Sequence, residues 1–239
     1  MSTRTKELRA FVLQEVDHHP SDWVSDLGVG IFKKITHEKH LLDERQALLE
    51  LAKGKLTTDP TRHTGEGIFF TSRVMDEFAI LSGDLTFTHR DGAKADYIFD
   101  AREDGETSES VQGTRVMMQL DTNTDRTVQG IFDDFSPPDA HTFAKTCIPV
   151  KLAVYEGSDL VSRSQAKRLM ARTERFKDVV LDFAGVEGVG QAFADEVFRV
   201  WQAQHPDVKL THVNASQQIE GMIVRACAEL KRQTESSEE

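Results

Sequence analysis

The second part of the chain switches repeatedly between two apolar periods, and this alternation restricts its fold more than any other feature. The pattern reads as strand over 148–155, 179–183 and 208–213, and as helix over 164–173, 190–202 and 216–230. Strands that alternate with helices are joined by crossovers, so this part predicts a largely parallel sheet. The helix starts agree, because Ser162 with Gln165 and Asn214 with Gln217 both have capping-box spacing. The last helix carries an apolar stripe of Ile219, Met222, Ile223, Ala226, Cys227 and Leu230 that one buried face would use. Trp201 shares a helical face with Phe193 and Val197 and is expected in the core. The charged end, 233–239, reads as a disordered tail.

The first part reads differently. Over 6–19, Leu8, Phe11, Val12 and Val16 fall on one helical face, and Pro20 ends the segment. A second helix is expected over 41–52, stopped by Gly54, and a third over 68–78 with Phe70, Val74 and Phe78 inward. From Leu85 the period becomes two: Leu85 with Phe87, Tyr97 with Phe99, and Val116 with Met118 and Leu120 predict antiparallel strands covered on one face. The acidic segment 101–112 reads as a solvated connection, and 121–143 holds a short helix. Ser136-Pro137-Pro138-Asp139 is the most linker-like stretch, which puts a domain boundary near 140. The expected fold class is α/β: an α+β region with a mostly antiparallel sheet over 1–140, and an α/β domain over 144–232.

A net charge of −11 on 239 residues argues against nucleic acid and anionic membranes as direct partners, since both require a basic footprint. Cys147 and Cys227, far apart and outside any CxxC spacing, indicate neither a disulfide framework nor a zinc site and are expected as buried apolar residues. No apolar run reaches the ~18 residues of a membrane span, and the first residues lack the apolar core of a signal peptide, so a cytoplasmic location is expected. Asp17-His18-His19 reads as an exposed helix end, and Arg163, Lys167 and Arg168 as a small basic surface cluster.

Two Gly-x-Gly motifs carry the functional signal. Asp26-Leu27-Gly28-Val29-Gly30 and His63-Thr64-Gly65-Glu66-Gly67 each precede an apolar pair that opens a helix. Glycine lets backbone N–H groups approach phosphate oxygens, and a helix start adds partial positive charge, so the pair suggests a nucleotide pocket.

These residues resemble the glycine boxes of the GHKL superfamily of ATP-binding domains, with Gly113-Thr114 similar to the closing Gly-Thr signal. The run Lys55-Leu56-Thr57-Thr58-Asp59-Pro60, together with Leu160 to Lys167 and Val180 to Glu196, resembles prokaryotic proteins that join such a domain to a STAS-like domain of unknown function. The resemblance implies ATP as ligand, Asp26 as acceptor for the adenine amino group, Gly28 and Gly30 as the turn beneath the purine, Gly65 and Gly67 as backbone donors, and Thr114 as support. It also implies a lid between the boxes, where Lys53, Lys55, Arg62 and His63 are the basic groups nearest the second motif.

The chain departs from the family at the metal. The magnesium-binding asparagine is missing: only Asn123 and Asn214 occur, neither near the expected place, and the helix over 6–19 offers Glu15 or Asp17 instead. No strand hairpin is expected ahead of Asp26, which leaves the sheet under the purine incomplete. In the second domain the turn Gly188-Val189-Gly190 lacks the serine at which STAS domains that act as anti-sigma antagonists are phosphorylated by a partner kinase. The expected function is intracellular regulation, an ATP-sensing module with weak or no hydrolysis coupled to a STAS-like domain that binds a protein partner. The alternatives are a nucleotide-free scaffold, and an ATPase or kinase completed by a partner chain.

Overall fold

The computed structural model describes residues 9–10, 21–59, 61–90, 97–100, 110–136, 142–154 and 159–235. It divides into two units, Met1–Leu51 with Lys55–Ile131, and Ala52–Gly54 with Phe132–Glu239. The elements in the first stretch are β1 (Arg9–Ala10), β2 (Ser21–Asp26), α1 (Ile31–Lys39), α2 (Glu44–Lys53), α3 (Gly67–Val74), β3 (Glu77–Gly83), β4 (Leu85–Arg90), β5 (Tyr97–Asp100), β6 (Val111–Gln119) and α4 (Val128–Asp134). Their strands form one sheet in the order β1-β2-β6-β3-β4-β5. Every neighbouring pair in it is antiparallel.

Alternation decides which face of this sheet is covered. Phe78, Ile80 and Ser82 of β3 and Leu85 and Phe87 of β4 are buried, while Glu77, Leu81, Thr86 and Thr88, which point the other way, are only half-buried; Ala79 is the exception, buried on that second face. Helices α1 and α3 pack on β3, with Phe32, Ile35 and Phe69 in the interior. Each fully buried phenylalanine contributes roughly 1.5–3 kcal/mol of transfer free energy.

Three expectations for this unit change. The helix expected over 6–19 is contradicted at Arg9–Ala10, which pair as a strand with Ser25 and Val24; the remainder of that segment, with Glu15, Asp17, His18 and His19, lies outside the described residues. Second, the residues before Asp26 form strand β2, paired with β6 from Ser21↔Gln119 to Asp26↔Thr114, so the sheet does continue ahead of the first glycine motif. Third, the helix expected to reach residue 78 ends at Val74. The Asp76 N–H donates to the Gln119 carbonyl at 2.9 Å and its carboxylate binds the Arg126 guanidinium, so residues next to α3 are already tied to β6 and Phe78 belongs to a strand. The acidic connection falls outside the described residues over 101–109, and Val111 and Gln112 open β6.

In the second unit, β7 (Lys145–Pro149), α5 (Arg163–Met170), β8 (Asp178–Asp182), α6 (Gln191–Asp195), α7 (Gln202–Gln204), β9 (Lys209–Val213) and α8 (Gln217–Glu235) alternate as the sequence predicts. Strands β7, β8 and β9 are parallel, in register from Lys145↔Asp178↔Lys209 to Pro149↔Asp182↔Val213. The core draws Ile148, Val179 and Leu181 from the strands and Leu169, Phe193, Val197, Trp201, Ile219 and Ile223 from the helices. Cys147 and Cys227 form no disulfide with each other and are half-buried, less enclosed than the buried apolar residues expected from sequence.

The first of these strands starts earlier than expected and stops at Pro149, which has no N–H to continue a ladder; a 3-10 turn, Val150–Ala153, follows. The capping box at α5 forms, with the Gln165 N–H donating to Ser162 Oγ at 3.2 Å and the Ser162 N–H donating to Gln165 Oε1 at 2.9 Å. The one expected at Asn214 does not. Asn214 sits in the left-handed region at φ 55° and donates from Nδ2 to Asp182 Oδ1 at 2.8 Å, which leaves Ser216 to cap α8 by accepting from the Ile219 N–H.

Lys53, at the end of α2, belongs to this unit and is 2% exposed. Its amine donates to the carbonyls of Ala171 at 2.8 Å and Arg168 at 3.2 Å, at the negative end of α5, and the Thr146 hydroxyl donates to the Lys53 carbonyl at 2.7 Å. Burial of a charged amine is tolerated because these acceptors replace water. Ser162→Ala is expected to lower the unfolding free energy by about 1 kcal/mol in urea titration, the usual worth of such a cap.

Candidate functional site

The loop that follows β2 is fixed by a contact between backbones. Gly113, at φ 79°, lies so close to Asp26 and Leu27 that a Cβ there would fall on the Asp26 carbonyl oxygen. Its own carbonyl accepts from Ser82 Oγ at 2.7 Å, and the next residue, Thr114, accepts from the Ile31 N–H at 3.0 Å. Thr114 therefore caps the first turn of α1, whose N-cap is Gly30. The Asp26 carboxylate is exposed and turns back on its own loop, with Oδ1 accepting from the Gly28 N–H at 2.6 Å.

Helix α1, so placed, forms one wall of a cleft of about 650 Å³. Ile31, Lys34 and Ile35 face it, spaced as i, i+3 and i+4 on a single helical face. Leu51, Leu56 and Ile68 complete the apolar lining, and Thr57, Thr58 and Thr64 add hydroxyls. Arg62, His63, Gly65 and Gly67 line it as well. A volume of this size falls in the range of small-molecule and cofactor pockets. Among the described residues that line it there is no carboxylate.

The loop that presents Arg62 and His63 organises itself around Asp59. The Asp59 carboxylate accepts from Thr61 Oγ1 at 2.6 Å and from the Thr61 N–H at 3.2 Å, and the Arg62 and His63 N–H groups donate to the Asp59 carbonyl. The Thr61 hydroxyl holds the Asp59 carboxyl below its ordinary value. Gly65, at φ 78°, packs on the backbone of Leu56, whose carbonyl atoms would lie 2.6 Å from an added Cβ.

Of the residues singled out from sequence, the structure brings Arg62, His63, Gly65 and Gly67 to the cleft. Asp26, Gly28, Gly30 and Thr114 meet one another at the start of α1 but are not among its lining residues, and neither is Lys55. Lys53 is corrected: its amine is taken up by the end of α5, so it is not a cation of the lid. Lys34 was missed. Its helical spacing from the apolar Ile31 and Ile35 was the available signal.

The described residues contain no group of three or more His, Cys, Asp and Glu side chains arranged to hold a metal. With cations, hydroxyls and aliphatic carbons around the cleft, the described donor set does not fit a magnesium ion held by protein ligands.

In the second unit the basic cluster is matched by acid. Arg163 lies 3.5 Å from Asp195 and 3.9 Å from the buried Glu196, and Lys167 lies 3.8 Å from Glu196. Between α6 and α7 the helix widens into a π turn, Glu196–Trp201, which contains Glu196 itself. A family model described as a STAS-like domain of unknown function (DUF4325) matches residues 165–220, from α5 into α8. The C-terminal region carries a STAS-like domain. The STAS-like domain is a type that generally mediates contacts between proteins, which accords with a regulatory role. No curated protein and no solved structure matches the chain. No helix among the described residues is long and apolar enough to cross a membrane.

Two outcomes are expected. Gly113→Ala should destabilise the first unit by at least about 2 kcal/mol, through left-handed strain and collision with Asp26, visible as an earlier thermal transition. In the STAS-like domain, the hydrogen bond from Arg199 holds the Asp195 carboxyl below its ordinary value, aided by the Arg199 and Arg163 charges. That contribution is complete above the ordinary carboxylate range and is lost as pH falls through the lowered value. Arg199→Met should therefore flatten the acid limb of the stability profile.

Proposed function

We propose that the first unit is a nucleotide sensor and that the STAS-like domain is its protein-binding output. The observation that carries this reading is the lining of the cleft: Lys34 of α1 and Arg62 and His63 of the loop that leads to α3 line it together with the aliphatic Ile31, Ile35, Leu51, Leu56 and Ile68. Cations recognise phosphate through charge-assisted hydrogen bonds, and an apolar wall suits the flat face of a base. The antiparallel sheet, the two Gly-x-Gly loops and the register that sets Asp26 opposite Thr114 support the GHKL resemblance.

The proposed role is sensing rather than turnover, because cations and hydroxyls bind phosphate without supplying a base for water. A nucleotide-free scaffold is the second reading. The glycine geometry favours it, since Gly65 and Gly113 are both demanded by backbone contacts within the chain. A cytoplasmic setting belongs to either proposal.

Titration calorimetry of the full chain with ATP, with and without magnesium, separates the two. A sensor of this composition should bind ATP without magnesium, and Lys34→Ala or Arg62→Ala should each weaken binding by about tenfold, the loss of one charge-assisted contact. No heat at millimolar ATP, with folding intact by circular dichroism, would leave the scaffold reading.

A further inference from the structure

Which part of a nucleotide the cleft distinguishes depends on which of its groups can tell a donor from an acceptor. Adenine offers an amino group where guanine offers a carbonyl, so a carboxylate, which only accepts, separates the two sharply. Guanine meeting it would leave two acceptors facing each other. Threonine hydroxyls rotate and serve as donor or acceptor, and aliphatic side chains are indifferent to either edge.

Among the described residues, the polar side chains lining this cleft are Lys34, Arg62, His63 and three threonines. The one carboxylate placed by the first glycine motif, Asp26, lies outside that lining, and its Oδ1 already accepts from the Gly28 N–H at 2.6 Å. Two acids lie three residues in chain from the cationic side: Asp59, which is occupied by Thr61 and stands 3.6 Å from Arg62 Nε, and Glu66, which is not among the lining residues.

Resting on the nucleotide reading, we infer that the cleft selects the phosphate chain and not the base, so that adenine and guanine triphosphates bind alike. Discrimination then runs along the number of phosphates that reach Lys34, Arg62 and His63. The protein would report the total triphosphate pool rather than ATP alone.

The test is calorimetry on the full chain in EDTA with ATP, GTP and inorganic tripolyphosphate. ATP and GTP should give dissociation constants within about threefold of each other, which is below the tenfold that 1.4 kcal/mol represents. Tripolyphosphate should bind more weakly than either, because it leaves the aliphatic wall unused. Lys34→Ala should weaken both nucleotides by the same factor, and Asp26→Asn, which keeps an acceptor for the Gly28 N–H, should leave their ratio unchanged within about twofold. An ATP preference of about tenfold or more overturns the inference, and its disappearance in Asp26→Asn would assign base reading to Asp26. If neither nucleotide binds, the nucleotide reading fails, and base indifference fails with it.

Discussion

The first unit depends on the close approach of two backbones at Gly113. Because no Cβ intervenes, the chain leaving β2 lies directly on β6, and Thr114 is brought under the first N–H of α1. That single clasp sets where α1 begins, and with a helical rise of 1.5 Å per residue it sets the height of Ile31, Lys34 and Ile35 along the cleft. Ser82 locks it from the neighbouring strand through the Gly113 carbonyl. The Gly-Thr pair thus has a mechanical explanation that requires no bound molecule, and the same geometry positions a wall of the cavity.

Much of the second unit was legible because local and tertiary preferences agree there. Val179 and Leu181 alternate with the half-buried Val180, and the apolar stripe of α8 meets its neighbours at the expected spacing. The Ser162 box formed even though the Ser164 hydroxyl also lies 2.9 Å from Ser162 Oγ. Asn214 had the same spacing, but Asp182 across the ends of the strands claimed its amide, and a left-handed backbone moved the cap to Ser216.

The first unit was harder to read for equally physical reasons. Strand β2 offers only Trp23 and Val24 between serines and aspartates, too little alternation to signal a strand, and its place comes from six paired positions on β6. Phe78 continued the helical spacing of Phe70 and Val74 by coincidence, while pairing with β6 made it a strand residue. At the cleft, the glycines of the second motif announced themselves, whereas Lys34 was hidden in an amphipathic helix where a polar residue beside two isoleucines reads as the edge of a core face. Lys53 shows the converse. A lysine in a polar neighbourhood looks available, yet long aliphatic stems can carry an amine deep enough to be claimed by carbonyls far along the chain.

That buried amine also determines what counts as a whole STAS-like unit. The residues that complete it are discontinuous in the gene, since Ala52–Gly54 are encoded well upstream of Phe132–Glu239. A clone cut at the boundary between Ile131 and Phe132 would shorten the polypeptide and also strip the end of α5 of its cationic plug, leaving the carbonyls of Arg168 and Ala171 and the hydroxyl of Thr146 without the partner they have in the intact chain. Chimeras that transplant this domain into another host must therefore graft the three-residue segment along with it.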